Sequence, residues 1–284
     1  MVVPGARFGV FLTFSTLLNY GDEVIIIEPA WPAYRQCAIN TGVKIRSIKT
    51  RLEDRWEPSL EDIKSSINNN TKMIVLNYPN NPTGKILSKE LQDSIFEIAK
   101  KNNLFILSDE IYSNYSNEKW KSALSYNYEK SIITQSFSKS HSMTGYRIGY
   151  VISSNNIIEK MAKFQSLCLT NVSEPIQFLA MKSINDDVTQ NVENIRERLG
   201  ILSELAQKMN LEFEVPDGAM YIFARMKSKV STSELAEKLL EHGLAIAPGN
   251  AFGDYKHFFR ISACVDKEKI IKGMDILKAT TNDM

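Results

Sequence analysis

The chain has 284 residues, 43% hydrophobic and 24% charged, enough apolar material for one large domain or two modest ones. A net charge of +1 leaves no broad electrostatic footprint for nucleic acid. Cys37, Cys168 and Cys264 are far apart and form no CxxC pair, which argues against a disulfide framework or a zinc site and fits a reducing, cytoplasmic compartment.

Gly5-Ala6-Arg7 opens an apolar helix expected over 8–18. A helix start exposes unpaired N–H groups and suits a phosphate, although a glycine before a helix is by itself a weak signal. The same run resembles the apolar part of a signal peptide. Pro4-Gly5 breaks its start, no small-x-small cleavage site follows, and it is too short to span a membrane. A buried strand is expected over 24–27, followed by a proline-stiffened loop, 28–34, that presents Trp31 and Tyr34. Further strands are expected over 43–48 and 73–76, with a polar helix over about 59–68 between them. The strand over 73–76 runs into Asn77-Tyr78-Pro79-Asn80-Asn81-Pro82-Thr83-Gly84, where two X-Pro steps impose extended or turn geometry.

Ser88 is a suitable cap for a helix over 88–102. The strand over 104–107 leads to Ser108-Asp109-Glu110-Ile111-Tyr112. A β-branched run at 132–134 precedes a serine-rich loop holding Ser136, Lys139 and Arg147, and a further apolar run covers 148–152. Helices follow over 156–167, 174–185 and 188–209, the last with Val192, Ile195, Leu199, Leu202 and Leu205 at helical spacing. Short strands over 212–215, 220–224, 244–247 and 257–263 then surround a helix over 233–242, and a helix over 266–279 closes the chain. His141, His242 and His257 have no metal-ligand spacing.

The first part therefore predicts an α/β domain, residues 1–187, with a mostly parallel sheet covered by helices. Residues 188–284 predict a smaller α+β domain, with the boundary inside the helix over 188–209. In parallel sheets ligands gather beyond the carboxyl ends of the strands. Four successive strand ends carry polar or aromatic clusters: Trp31 and Tyr34, Asn80 and Asn81, Asp109 and Tyr112, Ser136 and Lys139. Each residue has an ordinary alternative as a core aromatic, a helix cap or a surface cation; their joint placement does not.

A lysine amine can condense with a carbonyl, an aromatic ring can stack on a flat ligand, and a buried carboxylate can keep a ring nitrogen protonated. An arginine and a helix start can take a phosphate. One ligand uses all of these groups: pyridoxal 5'-phosphate.

The segments Pro79–Gly84, Ser108–Tyr112, Ser136–Lys139, Met143–Gly149 and Arg260-Ile261-Ser262 resemble, in order, those of class I/II aminotransferases of the fold-type-I superfamily, in particular the branch of prokaryotic aspartate and aromatic aminotransferases. The resemblance implies a homodimer that exchanges an amino group between an amino acid and a 2-oxo acid. It implies Lys139 as the Schiff-base lysine and proton shuttle, with Asp109 on the pyridine nitrogen. Tyr112 and Asn81 would contact the phenolic oxygen, and Trp31 would stack on the ring. Gly5, Ala6, Arg7, Ser136 and Arg147 would bind phosphate. Arg260 would clamp the substrate carboxylate, with Asn81 and Trp31 also touching substrate. Family members carry a further N-terminal portion, and the chain is expected to lack it. Alternatives are a carbon–sulfur β-lyase or aminocyclopropane-carboxylate synthase of the same fold, a cofactor-binding sensor domain, or an inactive remnant. No basic residue is singled out as the reader of a substrate side-chain carboxylate.

Overall fold

Most of the β-branched runs become strands and most of the 3.6-periodic runs become helices, with α2, over residues 32–41, added where a loop is expected. The computed structural model describes residues 1–116, 120–226 and 231–282. Its elements are β1 (Val2–Val3), α1 (Ala6–Leu17), β2 (Glu23–Glu28), α2 (Pro32–Thr41), β3 (Lys44–Lys49), α3 (Leu60–Ser65), β4 (Thr71–Asn77), α4 (Lys89–Lys101) and β5 (Phe105–Asp109). They continue with β6 (Ser131–Ser136), α5 (Phe137–Ser140), β7 (Gly149–Ile152), α6 (Asn155–Leu169), α7 (Glu174–Ser183) and α8 (Thr189–Lys208). The last part holds β8 (Tyr221–Arg225), α9 (Thr232–Glu241), β9 (Ala247–Pro248), β10 (Phe258–Ser262) and α10 (Lys267–Asn282).

Among the described residues the strands form two sheets. The larger has the order β1-β7-β6-β5-β4-β2-β3. Its strands from β6 to β3 are parallel, and β7 and β1 close one edge antiparallel. Side chains alternate along a strand, so a strand buried on both faces feeds two cores. In β2, Val24 and Ile26 join a core with α1, α2 and α6 through Val10, Phe14, Ala38 and Met161. Ile25 and Ile27 join the opposite core with α3 and α4 through Ile63, Ile95 and Phe96. The expected mostly parallel α/β sheet covered by helices is therefore what forms.

The smaller sheet is antiparallel, β8-β10-β9. Leu199 and Leu202 of α8, Leu235 and Leu239 of α9, and Met274 and Leu277 of α10 pack against Ile222, Ala224 and Phe259. An ion pair between a buried lysine and a half-buried aspartate ties the two parts together: Lys85 Nζ, after the Asn80–Gly84 turn, lies 2.6 Å from Asp217 Oδ2, just before β8. Gly84, at φ +72°, packs its backbone so closely there that an added Cβ would come within 2.4 Å of Pro216.

Several local expectations differ from the fold. The loop expected at 28–34 instead turns into α2. Pro32 at the first turn presets helical φ, and Tyr34, Cys37 and Ala38 recur at helical spacing on the buried side. The strand expected over 212–215 contracts to a bridge between Glu212 and Arg225. Glu214 there turns to face Arg55 and Lys85, and Pro216 has no N–H to extend a ladder. The helix expected over 59–68 stops at Ser65, because Asn68 is drawn away by the Thr71 hydroxyl and the Glu23 carboxylate. Among the described residues no helix is long and apolar enough to cross a membrane.

Candidate active site

The carboxyl ends of β4, β5 and β6 open on one side of the larger sheet, as parallel topology dictates. With the first turns of α1 and α2 and the face of the smaller sheet, they enclose a cavity of about 610 Å³. Ala6, Arg7, Trp31, Asn81, Asp109, Tyr112, Ser136, Lys139, Arg147 and Arg260 all line it. Gly5 stands just behind the wall at φ +86°, where an added Cβ would meet Arg147 Nη2 at 2.5 Å. Glycine is thus required for the arginine to reach the start of α1.

Asp109 ends β5 and is 1% exposed. Tyr34 Oη donates to its Oδ2 at 2.6 Å and Thr134 Oγ1 to its Oδ1 at 3.1 Å. Asn77 Nδ2 holds its backbone carbonyl at 3.0 Å. Burial pushes the carboxyl above its ordinary pKa, and the two hydroxyl donors pull in the other direction. Such a group, held by neutral donors at the bottom of a cavity, is suited to a cationic N–H.

The opposite end of the cavity collects donors for an anion. Ser136 caps α5, accepting from the Ser138 N–H at 3.0 Å and donating to the Ile148 carbonyl at 3.2 Å. Arg147 has a left-handed backbone, φ 52°, and its Nη1 donates to the Thr144 carbonyl at 2.8 Å. Gly149 lets β7 approach α1: an added Cβ would lie 2.9 Å from the Ala6 nitrogen and 2.6 Å from the Gln135 carbonyl. Between these ends Lys139 is half-buried, its ammonium 5.9 Å from the Tyr112 ring centre. Tyr115 Oη fixes the Lys139 carbonyl at 2.7 Å.

The smaller sheet supplies Arg260 from β10. Its Nη1 donates to Asn81 Oδ1 at 2.7 Å, which leaves the Asn81 amide nitrogen as the donor on that side chain. The guanidinium lies over two rings, 4.3 Å from the centre of Tyr221 and 5.1 Å from that of Phe252. Tyr112 and Tyr221 share a hydroxyl–hydroxyl hydrogen bond of 2.9 Å. Trp31 stands edge-on to Tyr34, and the Arg7 guanidinium lies 5.1 Å over the Trp31 ring.

All the predicted side chains thus meet in one cavity. Sequence reasoning missed Tyr34 as the partner of Asp109, and missed Asn77 and Tyr221 altogether. Tyr34 lies three residues after Trp31, so recognition of α2 would have put both on one helix face. Tyr221 had no local signal, because it alternates along β8 like any strand residue.

The donor set fits a flat, protonatable ring that carries an anionic tail: a carboxylate at one end, hydroxyl, guanidinium and N–H groups at the other, a lysine amine between. The family model described as aminotransferase class I and II matches residues 1–277. An aspartate aminotransferase of Thermotoga maritima is 33% identical over 287 residues, covering 99% of this chain and 75% of the relative. One from Pyrococcus horikoshii is 34% identical over 286 residues, covering 97% and 73% respectively. A crystal structure of Thermotoga maritima aspartate aminotransferase superposes with a TM-score of 0.95 at 32% identity, covering 99% of this chain and 76% of that one.

Proposed function

The chain belongs to the class I and II aminotransferases, a pyridoxal-phosphate-dependent family, and from that premise we propose how its own residues divide the work and which substrate they accept. It is a transaminase, and the β-lyase and cyclopropane-carboxylate synthase alternatives are not favoured. Pyridoxal phosphate supplies an electron-withdrawing ring that accepts the electron pair released at the substrate Cα.

Lys139 Nζ would be the covalent anchor of the cofactor and the base that takes and returns the substrate Cα proton. Its half-buried position beside Tyr112, in the cavity that Asp109 also lines, supports that role. Asp109 would keep the ring nitrogen protonated. Trp31 would stack on the ring, and Tyr112 Oη and Asn81 Nδ2 would donate to its phenolic oxygen. Ser136, Arg147 and the Ala6 and Arg7 N–H groups, set by the Gly5 turn, would hold the phosphate. Arg260, pinned by Asn81 and two rings, clamps the α-carboxylate. These groups come from residues 1–187 and 188–284 alike, which supports reading the chain as two domains with the site between them.

For the substrate, the observation that matters most is Arg7. Its side chain is exposed, lines the cavity and lies over the Trp31 ring. A second guanidinium in a site that already has Arg260 suits a dicarboxylic amino acid, and the relatives named aspartate aminotransferases support aspartate. The outer face of α7 and its C-cap carries Phe178, Met181 and Ile184, 59%, 71% and 57% exposed, which supports a homodimer through that face.

Reduction of the reconstituted enzyme with borohydride, followed by peptide mass mapping, tests the assignment. The expected adduct is on Lys139, and L-aspartate should discharge the cofactor's amino-accepting form in a half-reaction. An adduct on another lysine overturns the assignment.

A further inference from the structure

Tyr112 reaches the cavity from the segment after β5 and Tyr221 from β8 of the smaller sheet, and both are buried, 2% and 5% exposed. Their rings are nearly perpendicular, 82° with centres 5.7 Å apart, which brings the hydroxyls to 2.9 Å. The face of Tyr221 is covered by the Arg260 guanidinium at 4.3 Å. We propose that Tyr221 is a positioning residue with two functions: its hydroxyl donates to Tyr112 Oη and so commits the Tyr112 proton to the cavity, and its ring carries Arg260. This rests on the assignment of Tyr112 to the phenolic oxygen.

The number of protons the two phenols carry decides the direction of their hydrogen bond. A phenol has one proton and two lone pairs. Arg260, above the Tyr221 ring, is a donor and offers nothing for the Tyr221 proton. Among the described residues Tyr112 Oη is the acceptor within hydrogen-bond reach of Tyr221 Oη. Once Tyr221 donates, Tyr112 keeps its own proton for the ligand oxygen. A hydroxyl that accepts a hydrogen bond also becomes a better donor. The charged groups facing Tyr112 are Asp109, Arg260 and Lys139, and none of them changes when the Tyr221 hydroxyl is removed. Tyr221 therefore links the residue that grips the substrate carboxylate to the residue that stabilises charge on the cofactor ring.

The reconstituted wild-type enzyme is compared with Y221F, Y112F and Y221L by pH titration of the visible absorption of the lysine-bound cofactor. A hydrogen bond donated to the ring oxygen stabilises negative charge there and lowers the protonation midpoint, so a weaker donor raises it. Y221F is expected to raise the midpoint by roughly half a pH unit, and Y112F to raise it further. Because Y221F keeps the ring under Arg260, its KM for 2-oxoglutarate should stay near the wild-type value. Y221L should raise that KM about fivefold. An unchanged or lowered midpoint in Y221F, beside a raised one in Y112F, overturns the role of Tyr221 alone. A midpoint unmoved in both overturns the assignment of Tyr112 on which it rests. A KM for Y221L within about twofold of wild type overturns the support of Arg260.

Discussion

Tyr34 Oη donates a 2.6 Å hydrogen bond to Asp109 Oδ2, linking the first turn of α2 to the end of β5 in the floor of the cavity. The phenol does for a buried carboxylate what water does at a surface: it stabilises the negative charge that burial opposes. In Y34F the ring remains and the donor is lost, so Asp109 takes up a proton more readily. Activity at neutral pH should fall about tenfold. The acid limb of the pH–rate profile should move to higher pH, and the deficit should shrink as the pH is raised. An acid limb that stays where it is in wild type would show that Tyr34 does not govern Asp109.

Glu110 follows Asp109 but points away from the cavity. Its carboxylate receives the Ser108 and Ser122 hydroxyls at 2.9 and 2.8 Å and the Ala123 N–H at 2.8 Å, fastening the segment after Trp120 to the end of β5. Burial still wins, and the carboxyl rises from an ordinary 4.5 to about 7. The folded state therefore binds a proton that the unfolded state has already released over that interval. This contribution to stability is present below about pH 4.5 and is lost as the pH rises through about 7. Wild type should be less stable near pH 8 than near pH 5 by on the order of 2 kcal/mol from this group. E110Q should flatten that difference in urea denaturation. An equal pH dependence in the two proteins would remove Glu110 as its source.

How much of this could be read from the chain depends on the range of the interaction concerned. The larger sheet was legible because the runs at 24–27, 73–76, 104–107 and 132–134 are buried on both faces and bounded by turns. The cavity was legible because parallel strands release their functional side chains at one end, so Asp109 ends its strand and Asn81 and Lys139 come within four residues of the end of theirs. α2 was not read, since two prolines near its start look like loop until one of them occupies the first helical turn. The Lys85–Asp217 pair and the Tyr112–Tyr221 pair were invisible for another reason. Each joins residues more than a hundred positions apart, on elements whose relative placement no local pattern specifies.

Phe178, Met181 and the C-cap residue Ile184 recur at helical spacing on the outer side of α7, while Ile176, Leu179 and Ala180 pack inward against Phe137, Met143 and Ile148. A charge placed on the outer side costs the isolated fold little, because those positions are in water already. F178E combined with M181E should leave the far-ultraviolet dichroism and thermal midpoint close to wild type at low protein concentration. The same pair should shift the sedimentation coefficient from dimer to monomer. A double variant that still sediments as a dimer would place the subunit interface elsewhere.

Arg7 offers the sharpest test of substrate class, because its backbone and its side chain face different tasks. The backbone N–H belongs to the first turn of α1, which any residue at that position would supply, whereas the guanidinium extends over Trp31 into the cavity. R7Q therefore keeps the phosphate-binding turn and removes the second positive charge. A charge-assisted contact to a substrate carboxylate is worth about 2 kcal/mol, so kcat/KM for aspartate should fall about 30-fold. For an uncharged donor such as leucine or phenylalanine it should change little or rise, because desolvating an unpaired guanidinium no longer opposes binding. Cofactor affinity should stay close to wild type, which separates the two tasks. A parallel loss toward aspartate and phenylalanine would mean that Arg7 serves the cofactor or the fold, and that the side-chain carboxylate is read by another group.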